Sequence, residues 1–131
     1  MRLIYKKIIM ALAMALLMAA CTSRPVMNVT DAPVVTTGGK QITTDQVRNA
    51  IVGAGNGLGW VMTPTSAGLV VGSLNLRTHL AVVDVRYTAR TFSIAYKDST
   101  NLDYQNGQIH KNYNGWIENL DRSIRNELLR I

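Results

Sequence analysis

An apolar run near the start of the chain ends at its single cysteine, Cys21. Residues 1–7 carry the basic side chains Arg2, Lys6 and Lys7, and residues 8–17 are apolar. About ten apolar residues are too few to cross a bilayer core, which needs about twenty. A basic segment followed by a short apolar segment is typical of a secretory signal peptide. We therefore expect residues 1–20 to be removed, which leaves 111 of the 131 residues to fold.

The residues before the cysteine, Met18-Ala-Ala-Cys21, resemble the lipobox of bacterial lipoproteins. Ala19 and Ala20 match its two small residues, whereas Met18 replaces the preferred Leu. The resemblance implies cleavage before Cys21 and attachment of diacylglycerol to its sulfur, with palmitate among the acyl chains. Thr22 stands where an Asp commonly favours retention in the inner membrane. In a Gram-negative cell this implies the periplasmic leaflet of the cell outer membrane, and otherwise an extracytoplasmic membrane surface.

Two other interpretations of the leader fit less well. Ordinary signal peptidase needs small residues at positions −3 and −1, and Met18 is too large for a cut after Ala20. An uncleaved anchor would need a longer apolar segment than the one that ends at Thr22-Ser-Arg-Pro25.

The composition of the remaining chain excludes several functional classes. It holds 11 Lys or Arg against 8 Asp or Glu, a net charge of +3 without clusters, so nucleic acid is not an expected partner. One cysteine permits no internal disulfide, and the two histidines lie too far apart in sequence for a zinc motif. We therefore expect neither a metal site nor a cofactor.

The segment after the cysteine is rich in Thr, Val, Pro and Gly and lacks sustained periodicity. It predicts a lipid-anchored flexible tether over residues 21–42. The chain is then divided into a signal peptide (1–20), this tether, and a single compact domain (43–131).

The domain opens with a predicted helix. Thr43-Thr-Asp-Gln46 fits a capping box, and apolar residues then recur at helical spacing as far as Leu58. Glycines alternate at positions 53, 55, 57 and 59, so we expect this helix to end within them. They do not fit a dinucleotide or phosphate loop, because a helical pattern precedes them and no Gly-Lys-Ser/Thr follows. Close backbone packing and a turn explain them better.

Four strands and a second helix follow in the sequence. Strands are predicted at 60–63, 68–76, 79–87 and 91–97, and their short links favour antiparallel pairing. Apolar residues from Ile109 to Leu128 keep three- and four-residue spacing, which predicts an amphipathic helix with Trp116 at the centre of the core. The predicted fold class is α+β: an antiparallel sheet of about four strands with an N-terminal and a C-terminal helix packed on one face, in the order α-β-β-β-β-α.

The stretch 96–116 concentrates side chains that donate, accept and stack. It resembles a motif of small bacterial envelope lipoproteins, and the resemblance covers about residues 45–125. This implies a compact domain behind a lipobox and supplies no activity. Asn106-Gly107 is a strong turn signal. A low-specificity candidate interaction surface comprises Ser99, Asn101, Tyr104, His110 and Asn114. The competing interpretation makes these residues core, caps and loop supports.

Catalysis is not expected from this sequence. Ser99 and His110 with Asp98 or Asp103 supply the residue types of a triad, but the chain has no nucleophile elbow. We expect a non-enzymatic binding or interaction module in the periplasm. Its partners would be the membrane, through the lipid on Cys21, and an envelope protein or cell-wall component. The alternative is a small hydrolase or other catalyst acting on envelope polymers.

Overall fold

The structure, a computed structural model, describes residues 2, 4–10 and 22–131. The predicted lipobox at 18–21, including Cys21, lies outside the described residues. Residues 4–10 are helical and exposed. In the part of the chain that is described, no helix is both long and apolar enough to cross a membrane.

Within residues 22–131, seven strands form two antiparallel sheets. Strands β1 and β7 pair with each other, and the other five form one sheet in the order β2-β6-β5-β4-β3. The bounds are β1 Ser23–Pro25, β2 Val29–Pro33, β3 Val61–Ser66, β4 Leu69–Leu76, β5 His79–Tyr87, β6 Thr91–Thr100 and β7 Gln108–His110. The α+β class and the antiparallel sheet are thus confirmed. The sheet has one more strand than predicted, because β2 joins its edge beside β6.

Helix α1 (Thr44–Gly57) begins where the capping box predicts. The Thr43 hydroxyl accepts a hydrogen bond from the Gln46 N–H at 3.2 Å, and the Gln46 side chain accepts one from the Thr43 N–H at 3.0 Å. Helix α2 (Lys111–Leu129) starts two residues later than the apolar spacing indicates, because Ile109 pairs in β7.

Gly55 is the point of closest packing between α1 and the sheet. It is buried, and a Cβ placed on it would lie 2.8 Å from Met62 Cε and closer still to the Sδ and Cγ of that side chain. Gly72 pairs with Met62 across β3 and β4, and a Cβ placed on Gly72 would lie 3.0 Å from the Met62 Sδ. Gly55 therefore serves the close packing that the sequence indicated, whereas a Cβ on Gly53, Gly57 or Gly59 would meet nothing within 4 Å.

The core lies between the helices and one face of the five-stranded sheet. Val83, Val85 and Ile94 on the sheet and Ile117 and Leu120 on α2 are fully buried. Apolar side chains alternate along β4 and β5 because successive residues of a strand point to opposite faces.

Trp116 does not lie at the centre of this core. Tyr113, one helical turn earlier, is fully buried, whereas Trp116 is only partly buried and packs against the core from its margin. The predicted central position for Trp116 is therefore wrong. The apolar stripe of α2 was correctly identified, but spacing alone does not separate its middle from its edge.

The segment expected to be a flexible tether is part of the fold from Ser23 onward. β1 pairs with β7 over all three of its residues, and β2 pairs with β6. Farther along, the Thr37 hydroxyl donates to the carbonyl of Leu129 at the end of α2. The structure thus differs from the predicted tether at 21–42, and the folded unit begins at Ser23 and not at Thr43. Strands this short show no periodicity, and their partners lie 58–87 residues away in sequence.

All 3 prolines of the chain lie in strands at the sheet edges. Pro33 is in β2 and Pro64 in β3, the two outer strands of the larger sheet, and Pro25 is in the short strand β1. Proline lacks the N–H that a central strand would use on both sides, so these positions suit edges.

Candidate functional site

The loop between β6 and β7, residues 101–107, is held in a defined shape. Asn101, Asp103 and Asn106 have left-handed backbone angles, with φ of 58°, 53° and 51°. Asn and Asp adopt this conformation more readily than other residues with side chains. Leu102 between them is 2% exposed, and its carbonyl accepts from the His110 N–H at 2.9 Å. The loop is therefore anchored in the core.

The tip of this loop is a tight hairpin over residues 105–108. The backbones of Gln105 and Gln108 exchange two hydrogen bonds of 2.9 Å. Asn106 and Gly107 between them both have positive φ, the geometry for which Asn-Gly is preferred. The predicted turn is confirmed. All four residues of this hairpin are exposed.

Ser99 is held against Tyr96 by an irregularity in β6. Residues three apart in a regular strand point to opposite faces. In β6 the register shifts, so that Val83 faces Tyr96 while Ala81 faces Ser99. The extra residue places both side chains on the helix-covered face. Their hydroxyl oxygens lie 2.8 Å apart in a hydrogen bond.

Three tyrosines meet beside this pair. Tyr104 stacks on Tyr96 with ring centroids 4.1 Å apart, and Tyr113 meets Tyr96 edge-on at 5.8 Å. Tyr104 is 45% exposed. The Tyr113 hydroxyl is buried without a hydrogen-bond partner among the described residues. Burial, and secondarily the nearby Tyr96 and Tyr104, raises the pKa of Tyr113 above its ordinary value. This hydroxyl is therefore neutral at physiological pH.

Asn114 and His110 support the structure around the loop. The Asn114 side chain accepts from the Met27 N–H and donates to the Pro25 carbonyl, each at 2.9 Å. His110 caps α2, because its Nδ1 accepts from the Asn112 N–H at 3.2 Å. Both residues hold the N-terminal segment and the start of α2 in place.

Asn101 joins the loop to the turn before β5. Its side-chain amide donates to the Thr78 hydroxyl at 2.8 Å, and its carbonyl lies 2.7 Å from His79 Nδ1. Since a carbonyl only accepts, Nδ1 of His79 carries the proton. The His79 ring lies 6.3 Å from that of Trp116.

The candidate interaction residues thus fall into two groups. Ser99, Asn101, His110 and Asn114 make hydrogen bonds within the fold, whereas Tyr104 presents much of its ring to solvent. The residue types of a triad are not joined, because the Ser99 hydroxyl bonds Tyr96 and His110 Nδ1 bonds a backbone amide. Within residues 22–131 no cluster of three His, Cys, Asp or Glu side chains could hold a metal ion.

A depression of about 520 Å³ lies between the start of the fold and the loop. Its lining is mostly uncharged and polar: Thr22, Ser23, Asp103, Gln105, Asn106, Gln108 and His110. Of these residues, His110 is among the candidates that the sequence indicated, whereas Gln105, Gln108, Thr22 and Ser23 are not. Glutamines on both sides of an Asn-Gly turn were the available signal. The contribution of Thr22 and Ser23 depends on the pairing of β1 with β7.

Thr22 and Ser23, at the start of the continuously described residues 22–131, line the depression. It is bounded by a fixed hairpin and a three-residue strand, so its shape is set by backbone pairing. No family model, no curated protein and no solved structure matches this chain.

Proposed function

We propose that the chain is a membrane-anchored envelope lipoprotein, lipidated on Cys21, whose domain is a non-catalytic binding or interaction module in the periplasm. The observation that carries this proposal is the lone cysteine after Met18-Ala-Ala at the end of a short apolar run. A thioether to diacylglycerol also accounts for a cysteine that has no disulfide partner. Thr22, in place of Asp, favours the outer membrane's periplasmic leaflet.

The hydrogen bonding of the polar stretch supports an interaction role. Ser99 is hydrogen-bonded to Tyr96, and His110 caps α2. The most exposed ring of the stretch is that of Tyr104. A rigid loop that displays polar groups and one aromatic ring is suited to contact with a partner surface. Hydrolysis of peptidoglycan or another envelope polymer by the purified protein, abolished by Ser99→Ala or His110→Ala, would contradict this role.

Lipidation is tested by metabolic labelling in the native bacterium. The wild-type protein should incorporate labelled palmitate, and globomycin should make the unprocessed precursor accumulate. Cys21→Ser should remain unprocessed and unlabelled. A wild-type protein that takes no label would refute the anchor.

The membrane assignment has its own matched variant. Thr22→Asp changes only the residue after the lipidated cysteine, so it should keep the label but move the protein to the inner-membrane fraction. If the wild-type and Thr22→Asp proteins fractionate alike, the outer-membrane assignment fails while the lipid anchor stands.

A further inference from the structure

The fold begins almost at the proposed lipid attachment point. Thr22 is the single residue between Cys21 and β1, and all three residues of β1 pair with β7. Since consecutive Cα atoms are about 3.8 Å apart, the Cα of Ser23 lies within about 7.6 Å of that of Cys21. This length of chain leaves no slack between an acylated Cys21 and the domain.

The strand registers show which end of the domain is next to the anchor. Loop 101–107 follows directly after β6, whose last residue Thr100 pairs with Leu80 near the start of β5. The turns at the other end of β5 join β3 to β4 and β5 to β6. β5 has 9 residues, so the two ends are about 26 Å apart at about 3.3 Å per residue. The anchor therefore emerges at the loop end of the sheet.

The chemistry of the loop end suits the polar layer of a membrane. Thr22, Gln105, Asn106 and Gln108 are exposed and uncharged, and Asp103 is the one carboxylate among the residues that line the depression with them. Contact with lipid headgroups therefore strips water from few fixed charges. The side-chain amides of Gln105, Asn106 and Gln108 can donate to phosphate and ester oxygens. Tyr104, 45% exposed, adds an amphipathic ring of the kind enriched at membrane interfaces.

We propose that the anchor-proximal surface, formed by Thr22, Ser23, Tyr104 and residues 105–108, rests directly on the phospholipid headgroups of the bilayer that holds Cys21. This inference rests on the proposed lipidation of Cys21 and names the partner of the exposed loop. The domain is then held in one orientation, with the β3–β4 turn pointing away from the membrane.

Hydrogen exchange of the native, acylated protein tests this contact. The protein is reconstituted in vesicles of phosphatidylethanolamine and phosphatidylglycerol and compared with the soluble Cys21→Ser mature chain mixed with the same vesicles. Amides in peptide 103–108 should exchange severalfold more slowly in the anchored protein, while peptide 64–69 at the far end should be unchanged. Equal exchange of 103–108 in both proteins, or protection confined to another face, would overturn the proposal.

A linker variant is the matched control for the short connection. Twelve Gly and Ser residues inserted between Thr22 and Ser23 preserve the lipobox and allow an end-to-end span of about 20 Å. The variant should stay on the vesicles and lose the slow exchange of 103–108. Slow exchange that persists with the linker would contradict the inference that the short connection holds this surface on the headgroups.

Coupling through the thiol separates this inference from the lipidation on which it rests. The unacylated chain 21–131 is attached through Cys21 to vesicles that contain a maleimide lipid. A cell-made protein without an acyl group refutes the anchor. Fast exchange of the 103–108 amides in the maleimide-coupled protein would refute the contact of this surface with headgroups, whatever the result of the palmitate experiment.

Discussion

Gly55→Ala is expected to destabilise the domain even though alanine is the better helix former. Gly55 is buried in α1 against Met62, and a new methyl carbon would lie 2.8 Å from the Met62 Cε. Carbon atoms in favourable contact are about 3.5–4.0 Å apart. Met62 is itself only 7% exposed and lies between Gly55 and Gly72, so its side chain has little room to withdraw.

Gly53→Ala provides the matched control on the same helix. Gly53 is exposed, and a Cβ placed on it meets nothing within 4 Å. Replacing glycine by alanine in a helix contributes about 0.8–1.0 kcal/mol, so Gly53→Ala should raise the free energy of unfolding by about that amount. Overpacking costs about 1–3 kcal/mol. Both variants gain the same helix propensity, but only Gly55→Ala is overpacked. Its free energy of unfolding should therefore be about 1–3 kcal/mol lower than that of Gly53→Ala.

Urea denaturation of the soluble Cys21→Ser mature chain, followed by circular dichroism, measures both variants. A double-mutant cycle with Met62→Ala identifies the contact, because Gly55→Ala should become stabilising once the opposing side chain is shortened. If Gly55→Ala gains stability as Gly53→Ala does in the otherwise unchanged protein, the close packing of α1 on β3 is incorrect.

Three other changes test the fold. The chain 43–131, which lacks β1 and β2, should unfold at a lower urea concentration and less cooperatively than 22–131. The reason is that β7 loses its partner β1 and β6 loses one of its two neighbours. Equal urea midpoints for the two chains would contradict the pairing. Tyr113→Phe should leave the free energy of unfolding unchanged or raise it by up to about 2 kcal/mol, because it removes a buried hydroxyl without a partner. A clear decrease in the free energy of unfolding in the same assay would reveal a hydrogen bond to that hydroxyl. Tyr113→Ala should lower the free energy of unfolding by about 3–5 kcal/mol, and Trp116→Ala should lower it by less. A larger loss for Trp116→Ala would place Trp116 in the core.

The sequence predicted those elements whose signal is local. The alternation of His79–Tyr87 predicted β5 with its observed bounds, and the capping box located the start of α1 at Thr44. Asn106-Gly107 likewise formed the expected turn. In each case the information lies within a few neighbouring residues, as strand alternation, capping and turn preferences require.

The N-terminal segment was misread because its structure depends on distant partners. β1 and β2 contain prolines and few apolar residues, so neither propensity nor periodicity distinguishes them from a spacer. Only Ala32 of β2 is buried. What holds these strands is pairing with β7 and β6 and the amide of Asn114, and such contacts between remote residues leave no local pattern.

The candidate site was located only in part for a similar reason. Composition marks stretch 96–116 as polar, but it does not separate Asn114, which bonds the N-terminal segment, from exposed Tyr104. The bulge that brings Ser99 to Tyr96 also has no sequence signature that alternation alone could reveal.

The prolines in the edge strands bear on how many copies can share a membrane. In the proposed membrane-anchored state, molecules would diffuse in two dimensions and collide far more often than in solution. An open strand edge in that setting is a template for pairing with the next copy. Pro33 in β2 and Pro64 in β3 each remove a donor from the two outer edges of the larger sheet. Each proline therefore weakens its edge as a template for pairing with a second copy.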